Sequence, residues 1–401
     1  MNKSKTKKTV CFSACGIGLG HVGRLKPFAR WMHEMGHKVY FTGYGESLDQ
    51  LNNDKFIVHS VPEIKFLEHP DGSFNSARTS VLAPIFIARF MSQVKAEYNY
   101  LVKYKPDLVV SDTRYSSVFA AKKYKMGPAP NLPILFITNQ LSAILPTPNR
   151  IGGINWLEKG SSYLNIRIIG MAELVLIQDL PPPYTISTTT YEPPEWLQYR
   201  FEYLGFIIQK SPDDLPDRRV LRQKYCGSND DSGPLIYAPL AGPITARKQL
   251  MELLIEPLKD FQGKVIISMG MYGKKLDKQY GSVQVKNWVE DRFELLKAAD
   301  LTIARPGLAT IGDFLRYGVP SILVPTLNHP EQMHNAESAE RFGVGKLLEQ
   351  KEITGPNLKE NIATLLEDKD VKESTEKMKK VMIKNDGLKK LKGIILNKLN
   401  L

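Results

Sequence analysis

The sequence predicts an α/β protein made of two doubly wound parallel sheets, and three observations carry that prediction. Short β-branched apolar runs alternate with helical stretches through most of the chain. The alternation starts twice, at Thr9 and again at Leu235, with the polar, proline-containing stretch Gln209–Asp217 (QKSPDDLPD) as a linker between the series. A length of 401 residues is enough for two hydrophobic cores. In such sheets ligands sit outside the carboxyl ends of the strands. Two sheets facing one another would therefore enclose a cleft. The expected division is residues 1–208, residues 209–385, and a last helix at 386–401 packing back on the first domain.

In the first series the strands are expected at Thr9–Ala14, Lys38–Thr42, Phe56–Val61, Leu108–Ser111, Pro133–Thr138 and Leu174–Gln178. Helices are expected at His21–Met35, Thr79–Lys103 and Tyr115–Lys125. In the second series strands are expected at Leu235–Pro239, Lys264–Ser268, Leu301–Ala304 and Ser321–Val324, with helices between them. The stretch Val81–Leu101 mixes Val, Leu, Ile, Phe, Met and Tyr at helical spacing. Such a stripe is either core, the lining of a hydrophobic acceptor groove, or a surface for lipid.

Composition narrows the class. A hydrophobic fraction of 42% and a charged fraction of 24% are those of a soluble globular protein. Three cysteines cannot build a disulfide framework, and the Cys11–Cys15 spacing is not that of a metal knuckle. A reducing compartment, no structural metal and a cytoplasmic location are the expectation. The basic start MNKSKTKK is followed by an apolar run of only strand length, which is not a signal peptide. Val81–Met91, the longest apolar stretch, is broken by Pro84 and Arg89 and is too short to span a bilayer. The 54 basic against 42 acidic residues leave a net charge of +12, which favours an anionic partner. No nucleic-acid motif accompanies the charge, so an anionic membrane surface or an anionic small molecule fits better. The lysine-rich end can equally be a solvated helix face.

The glycine loop Cys15–Gly23 (CGIGLGHVG) permits two readings. From Gly18 it spells the dinucleotide fingerprint, which requires a carboxylate near the end of the second strand. Lys38–Gly43 (KVYFTG) supplies none, and Glu46 and Asp49 come only after a further Gly-Tyr-Gly. The nicotinamide or flavin reading thereby loses its main support. In the other reading Gly16, Gly18 and Gly20 let the backbone approach a ligand closely, and His21 opens the following helix as a proton acceptor. Asp112, at the end of an apolar strand, would hold the second ring nitrogen. The plainer alternative makes His21 a helix-start residue and Asp112 a helix cap.

Leu301–Gly345 is the most informative stretch. A strand ends at Ala304, the chain turns through Arg305-Pro306-Gly307, and a helix begins, which makes an anion site of free N–H groups and dipole. Arg305 would add charge for phosphate, Thr310 a hydroxyl, and Asp313 an acceptor for ribose hydroxyls. Glu331 and Gln332 open the next loop–helix junction with groups suited to sugar hydroxyls. Against that, Arg305 and Asp313 could pair and Glu331 could cap a helix. Asp368-Lys-Asp370, a D-x-D in spelling, lies in the lysine-rich helical end and reads as surface.

The series R-P-G-x-x-T-x-x-D, G-V-P-x-x-x-V-P and E-Q-x-x-N-A, ending at Asn335 and Ala336, resembles the donor-binding half of GT-B glycosyltransferases. These include the UDP-glycosyltransferases, the peptidoglycan GlcNAc transferase and the galactolipid synthases. The resemblance implies two Rossmann-like domains around a cleft. It implies that Gly307 and Thr310 contact a diphosphate, Asp313 the ribose, and Glu331, Gln332 and the Asn335 segment the sugar side. Trp288, in Val285–Trp288 ahead of the short helix Phe293–Ala298, corresponds to the segment that lies against uracil. Gly242 ends the first phosphate-side loop of the second domain, and Gly16–His21 with Val109–Asp112 matches the acceptor side. Arg305 and Asp313 stand where many relatives have His and Glu, Glu290-Asp291 where plant members have Pro-Gln, and Pro239–Pro243 lacks the Gly-Gly-Ser of the peptidoglycan enzyme. The implied chemistry is metal-independent, cofactor-free inverting transfer from a UDP-hexose or UDP-N-acetylhexosamine to a hydroxyl, free or lipid-linked. A nucleotide-sugar-binding accessory subunit and a nucleotide-sugar epimerase are the alternatives.

Overall fold

The structure is a computed structural model that describes residues 7–16, 20–45, 48, 51, 54–64, 83–139, 154–187, 193–227, 233–271 and 277–401. Among them fourteen strands form two sheets of seven. The first sheet has β1 (Thr9–Ala14), β2 (Lys38–Gly43), β3 (Ile57–Ser60), β4 (Leu108–Asp112), β5 (Ile134–Thr138), β6 (Leu174–Ile177) and β7 (Phe201–Tyr203). Its order is β3-β2-β1-β4-β5-β6-β7, and every pairing is parallel. The second sheet has β8 (Leu235–Pro239), β9 (Lys264–Ser268), β10 (Lys278–Tyr280), β11 (Val283–Lys286), β12 (Leu301–Ala304), β13 (Ser321–Leu323) and β14 (Gly345–Leu347). It runs β10-β11-β9-β8-β12-β13-β14, parallel except for the edge hairpin β10–β11. The fold class read from the sequence is the one observed.

Each sheet is covered on both faces, so its central strands carry apolar residues at successive positions rather than alternating ones. The helix Gly20–Glu34 places Val22, Leu25, Phe28, Ala29 and Met32 at helical spacing against Phe12 and Phe41. On the opposite face, Val94 and Leu101 of the helix Ala83–Tyr104 pack with Val118 and Tyr124 of the helix Tyr115–Lys125. The second sheet is sandwiched in the same way. Ile244–Leu258 and Gly355–Glu367 cover one face. Leu308–Tyr317 and Lys369–Lys384 cover the other.

The two lobes are tied by more than the chain crossing between them. Phe206, just past β7, is buried in the second lobe's cluster beside Leu308, Ile311 and Phe314. The final helix Gly387–Leu399 returns to the first lobe and inserts Leu391, Ile395 and Leu399 beside Leu25 and Phe28. Gln209–Asp217 is laid against the second lobe. Ser211 caps a short 3-10 turn, Lys297 donates to the carbonyls of Pro212 and Leu215, and Tyr317 donates to that of Lys210.

The differences from the expected elements are mostly at the sheet edges, with one inside: β11 (Val283–Lys286), next to the edge strand of the second sheet, was not expected. β7, β10 and β14 are three residues each, too short for any periodic signal, and the helix Ile154–Ile169 was not expected. The expected helix Thr79–Lys103 is observed as Ala83–Tyr104, and residues 79–82 lie outside the described ones. Asp368 caps the helix Lys369–Lys384, accepting from the amides of Asp370 and Val371, a structural use of the D-x-D.

Phe206 also explains a glycine. A Cβ built on Gly312, inside the Leu308 helix, would fall 2.3 Å from Phe206 Cδ1. Elsewhere in a helix Gly→Ala gains up to about 1 kcal/mol. Here Gly312→Ala is expected to destabilise the protein by about 1–3 kcal/mol through overpacking, read as a lower urea midpoint at unchanged slope. A higher midpoint would show that Phe206 is not wedged there.

Candidate active site at the facing switch points

In a doubly wound sheet the crevice lies where the strand order reverses, at the carboxyl ends of the two central strands. In the first sheet those strands are β1 and β4, and Ala14 is the register partner of Asp112. In the second sheet they are β8 and β12, whose carboxyl ends lead to Gly242 and to the turn Arg305–Gly307. Topology thus brings both predicted residue sets to crevices.

At the first crevice His21 Nδ1 stands 2.7 Å from Asp112 Oδ1. Asp112 is fully buried, while the His21 side chain is 18% exposed. A third residue, not anticipated from the sequence, completes the group. Arg24 grips the same carboxylate with both arms, Nε to Oδ2 at 2.8 Å and Nη2 to Oδ1 at 2.6 Å. Nη2 also lies 2.7 Å from His21 Nδ1. Arginine can only donate, so a bare Nδ1 would accept from Nη2, whereas a proton on Nδ1 donates to the charged Oδ1 and leaves Nη2 bonded to the carboxylate alone. That tautomer leaves the lone pair on Nε2. Burial would push the Asp112 carboxyl up, but Arg24 and then His21 outweigh it and hold it down at about 2. The signal for Arg24 was present in the sequence: it is three residues after His21, on the same face of one helix.

The turn that carries Asp112 is strained. Thr113 has φ +50°, a left-handed conformation that β-branched residues rarely adopt. Its amide bonds to Ile137 O at 2.9 Å and its hydroxyl donates to Asp112 Oδ1 at 3.2 Å. Behind the turn, Arg114 pairs with buried Glu97 at 3.0 Å, and Glu97 also accepts from Ser13 and Thr42. Of the loop glycines, Gly18 lies outside the described residues. A Cβ on Gly16 would fall 2.3 Å from Tyr44 O, so only glycine fits against that backbone. Among the described residues, a Cβ on Gly20 would meet only Ala309 Cβ, at 3.9 Å.

Gly20 therefore lies near Ala309, which is in the first turn of the helix Leu308–Tyr317. Gly307 is its N-cap and, lacking a side chain, leaves the first amides without a side-chain acceptor. Thr310 is half-buried in the same turn. The N-terminus of the His21 helix therefore faces the N-terminal end of the Leu308 helix. A second tie crosses the cleft: Asn139 Nδ2, past β5, donates to Glu331 Oε1 at 3.0 Å. Burial raises the Glu331 carboxyl, and the charge of Arg24 and the Asn139 hydrogen bond only partly oppose it.

Several predicted site residues are used otherwise in this structure. Arg305 does not reach out as a phosphate ligand. It is buried, and its guanidinium donates to the carbonyls of Val324 and Pro325, just past β13, and to that of Ala246 in the helix Ile244–Leu258. Burial pushes its guanidinium down to about 10. Asp313 is not an open ribose acceptor. Its Oδ2 lies 2.8 Å from Arg292 Nη2, which supplies the counter-charge that a buried carboxylate requires. Gln332 turns its carbonyl back onto the amide of Thr326 at 2.8 Å, closing the loop before the helix Pro330–Arg341. Asn335 is fully buried and donates to Pro306 O at 3.1 Å, bracing the Arg305–Gly307 turn. Gly242 is exposed with φ +95°, a conformation glycine adopts freely, and its carbonyl accepts from Arg247 at 2.5 Å. Trp288, 40% exposed, follows β11. Among the described residues no cluster of three or more His, Cys, Asp or Glu is placed to hold a metal, and no helix is long and apolar enough to cross a membrane.

Two doubly wound lobes that face each other across paired crevices are the GT-B architecture, and the likenesses that follow support a glycosyltransferase of that fold. More particularly, residues 246–391 match the glycosyltransferase family 28 C-terminal domain. An uncharacterized glycosyltransferase of Methanosarcina acetivorans is 26% identical over 95% of this chain and 96% of its own length. The UDP-N-acetylglucosamine–N-acetylmuramyl-(pentapeptide) pyrophosphoryl-undecaprenol N-acetylglucosamine transferase of Desulforamulus reducens is 29% identical over 38% of this chain and 45% of its own. Among solved structures, the glycosyltransferase of kitacinnamycin superposes with a TM-score of 0.69 at 14% identity, covering 98% of this chain and 99% of that one.

The charge on Asp112 has a consequence for stability. A carboxyl held below its unfolded value stabilises the fold above about pH 4, and that contribution is lost as pH falls toward the folded value near 2. Asp112→Asn is expected to lose about 3 kcal/mol at neutral pH, since Arg24 is left buried and unpaired. It should also show a flatter stability profile below about pH 4, measured by urea unfolding across that range. A variant as stable as the parent at neutral pH would contradict the pairing.

Proposed function

We propose that the protein transfers a sugar, with inversion, from a nucleotide diphosphate sugar to an acceptor hydroxyl, and that the donor is a UDP-hexose or UDP-N-acetylhexosamine. The observation that carries this reading is the approach of the His21 helix to the uncapped start of the Leu308 helix, with Gly20 set against Ala309. A proton acceptor and an anion site thus face each other across a cleft, as a displacement at an anomeric carbon requires. The acceptor O–H proton passes to His21 Nε2, the oxygen forms its bond to the anomeric carbon, and the bond from that carbon to the diphosphate oxygen breaks. Its electron pair leaves on the diphosphate.

In this reading the amides at Gly307–Thr310 and the Thr310 hydroxyl receive the developing charge. Gly242 leaves the neighbouring loop open to the same phosphates. Arg305 holds the β12 and β13 ends in position rather than touching phosphate, and Asn335 braces the turn. Glu331 and the free amide end of Gln332 meet the sugar hydroxyls, while Trp288 lies against the base. Asp313 orients Arg292 on the ribose side. The helix start supplies electrostatic stabilisation of the kind a divalent cation supplies elsewhere, which supports a metal-independent reaction.

A lipid-linked acceptor is favoured by a separate observation. The first half of the Ala83 helix turns Ile85, Ile87 and Met91 to solvent, each at least half exposed, on a protein of net charge +12. The Desulforamulus relative acts, by its name, on an undecaprenol-linked acceptor with a UDP-sugar donor. Peripheral contact with an anionic membrane follows from the same surface.

Four measurements test the proposal. In a thermal-shift screen of nucleotide sugars, the true donor at about 100 times its Kd should add about 2.7 kcal/mol of stability. With that donor, His21→Ala should lose about 10²–10⁴ in turnover while donor affinity stays unchanged. Unchanged turnover would remove His21 as the base, and product formed without any acceptor would favour an epimerase. Turnover should survive EDTA, and its abolition with rescue by Mn²⁺ would contradict the electrostatic role given to the Leu308 helix. Vesicles of anionic phospholipid should retain the protein at low salt and release it at high salt. No retention at low salt would remove the membrane contact.

A further inference from the structure

Arg24 does more than complete a hydrogen-bond set. We propose that it is the positioning residue that keeps His21 free of its proton in the resting site, by supplying the positive charge that buried Asp112 would otherwise draw onto the imidazole. The inference rests on the proposed role of His21 as base and deepens it.

A carboxylate shut away from water needs a positive partner. Two groups touch Asp112 that can supply one, His21 and Arg24. If His21 supplied it, the imidazole would already hold the proton it has to accept. The fork of Arg24, buried at 5% exposure with contacts of 2.6 and 2.8 Å, makes that unnecessary. The same guanidinium, 2.7 Å from Nδ1, also opposes a second positive charge on the ring. The carboxylate can then fix the tautomer without holding the imidazole protonated.

The other charged and titratable groups around the site do not replace this function. Thr113 on the turn after β4 gives only a hydroxyl. Arg114 on the same turn is matched by Glu97 of the Ala83 helix. Tyr44, at the end of β2, is kept protonated by burial. Across the cleft, among the described residues, Glu331 is a carboxyl that feels the charge of Arg24 and bonds to Asn139. With Arg24 neutral, the facing set would be negative and would favour the imidazolium.

The test uses the full-length protein without substrate. NMR titration of histidine Cε1–H signals, with His21→Ala identifying the resonance, follows proton uptake at His21 directly. In Arg24→Gln the midpoint is expected to rise by about one pH unit or more over the parent, and in Arg24→Lys by clearly less. A midpoint unchanged or lowered in a folded Arg24→Gln protein would overturn the proposal. Should that variant not fold, the double variant Asp112→Asn/Arg24→Gln replaces a buried ion pair by neutral groups of similar shape, a change that folds often tolerate. Its midpoint should match the parent, since two opposing charges are removed together. A midpoint about one pH unit below the parent would mean that Asp112 alone governs the ring, and the role of Arg24 would be structural. These readouts are independent of turnover. Retained activity in His21→Ala would sink the proposed base and leave the titration result standing.

Discussion

A carboxylate with no access to water organises the first lobe. Asp112 ends β4 beside Ala14 of β1, and its burial is tolerable only because Arg24, His21 and Thr113 all donate to it. Two of those donors lie one turn apart on a single helix. The rotation of that helix about its axis is therefore fixed twice, by the apolar face on Phe12 and Phe41 and by the fork on Asp112. The strain at Thr113 belongs to the same arrangement, since a relaxed backbone there would move the carboxylate and its own hydroxyl donor.

The two lobes use one structural device for opposite purposes. Each has a strand ending at a switch point, a glycine-containing turn and a helix starting towards the cleft. In the first lobe the helix start presents an imidazole, and in the second it presents bare amides. Their direct approach at Gly20 and Ala309 depends on parts remote from both sites. Phe206 is wedged on Gly312, and the last helix is seated back on the first lobe. In the proposed reaction such bracing holds base and leaving-group site at a constant separation.

Buried polar groups behind the cleft do quieter work. Arg305, Asn335 and Gln332 bond to backbone groups of the turns around β12 and β13. Glu97 and Arg114 link the Ala83 helix, with its exposed apolar first half, to the turn that carries Asp112. These side chains shape the loops at the strand ends, so residue types apt for phosphate or sugar serve here as supports.

The sequence by itself determined the two-sheet architecture and the central strands, because apolar strand runs and glycine turns are local signals. It offered the His21–Asp112 pair only beside a helix-start and helix-cap alternative, and the packed structure decided between them. The three-residue edge strands were not legible, since three residues have no period and exist only by pairing with a neighbour. Nor could spacing tell what Arg305 and Asp313 would meet: their types suit a ligand, but only the packed structure shows carbonyls around one and Arg292 beside the other. Arg24 lies between these cases. Its place one turn after His21 was readable, yet its bond to a carboxylate 88 residues away in sequence was not. What a charged side chain does depends on which opposite charge the fold buries beside it, and that is decided by tertiary structure alone.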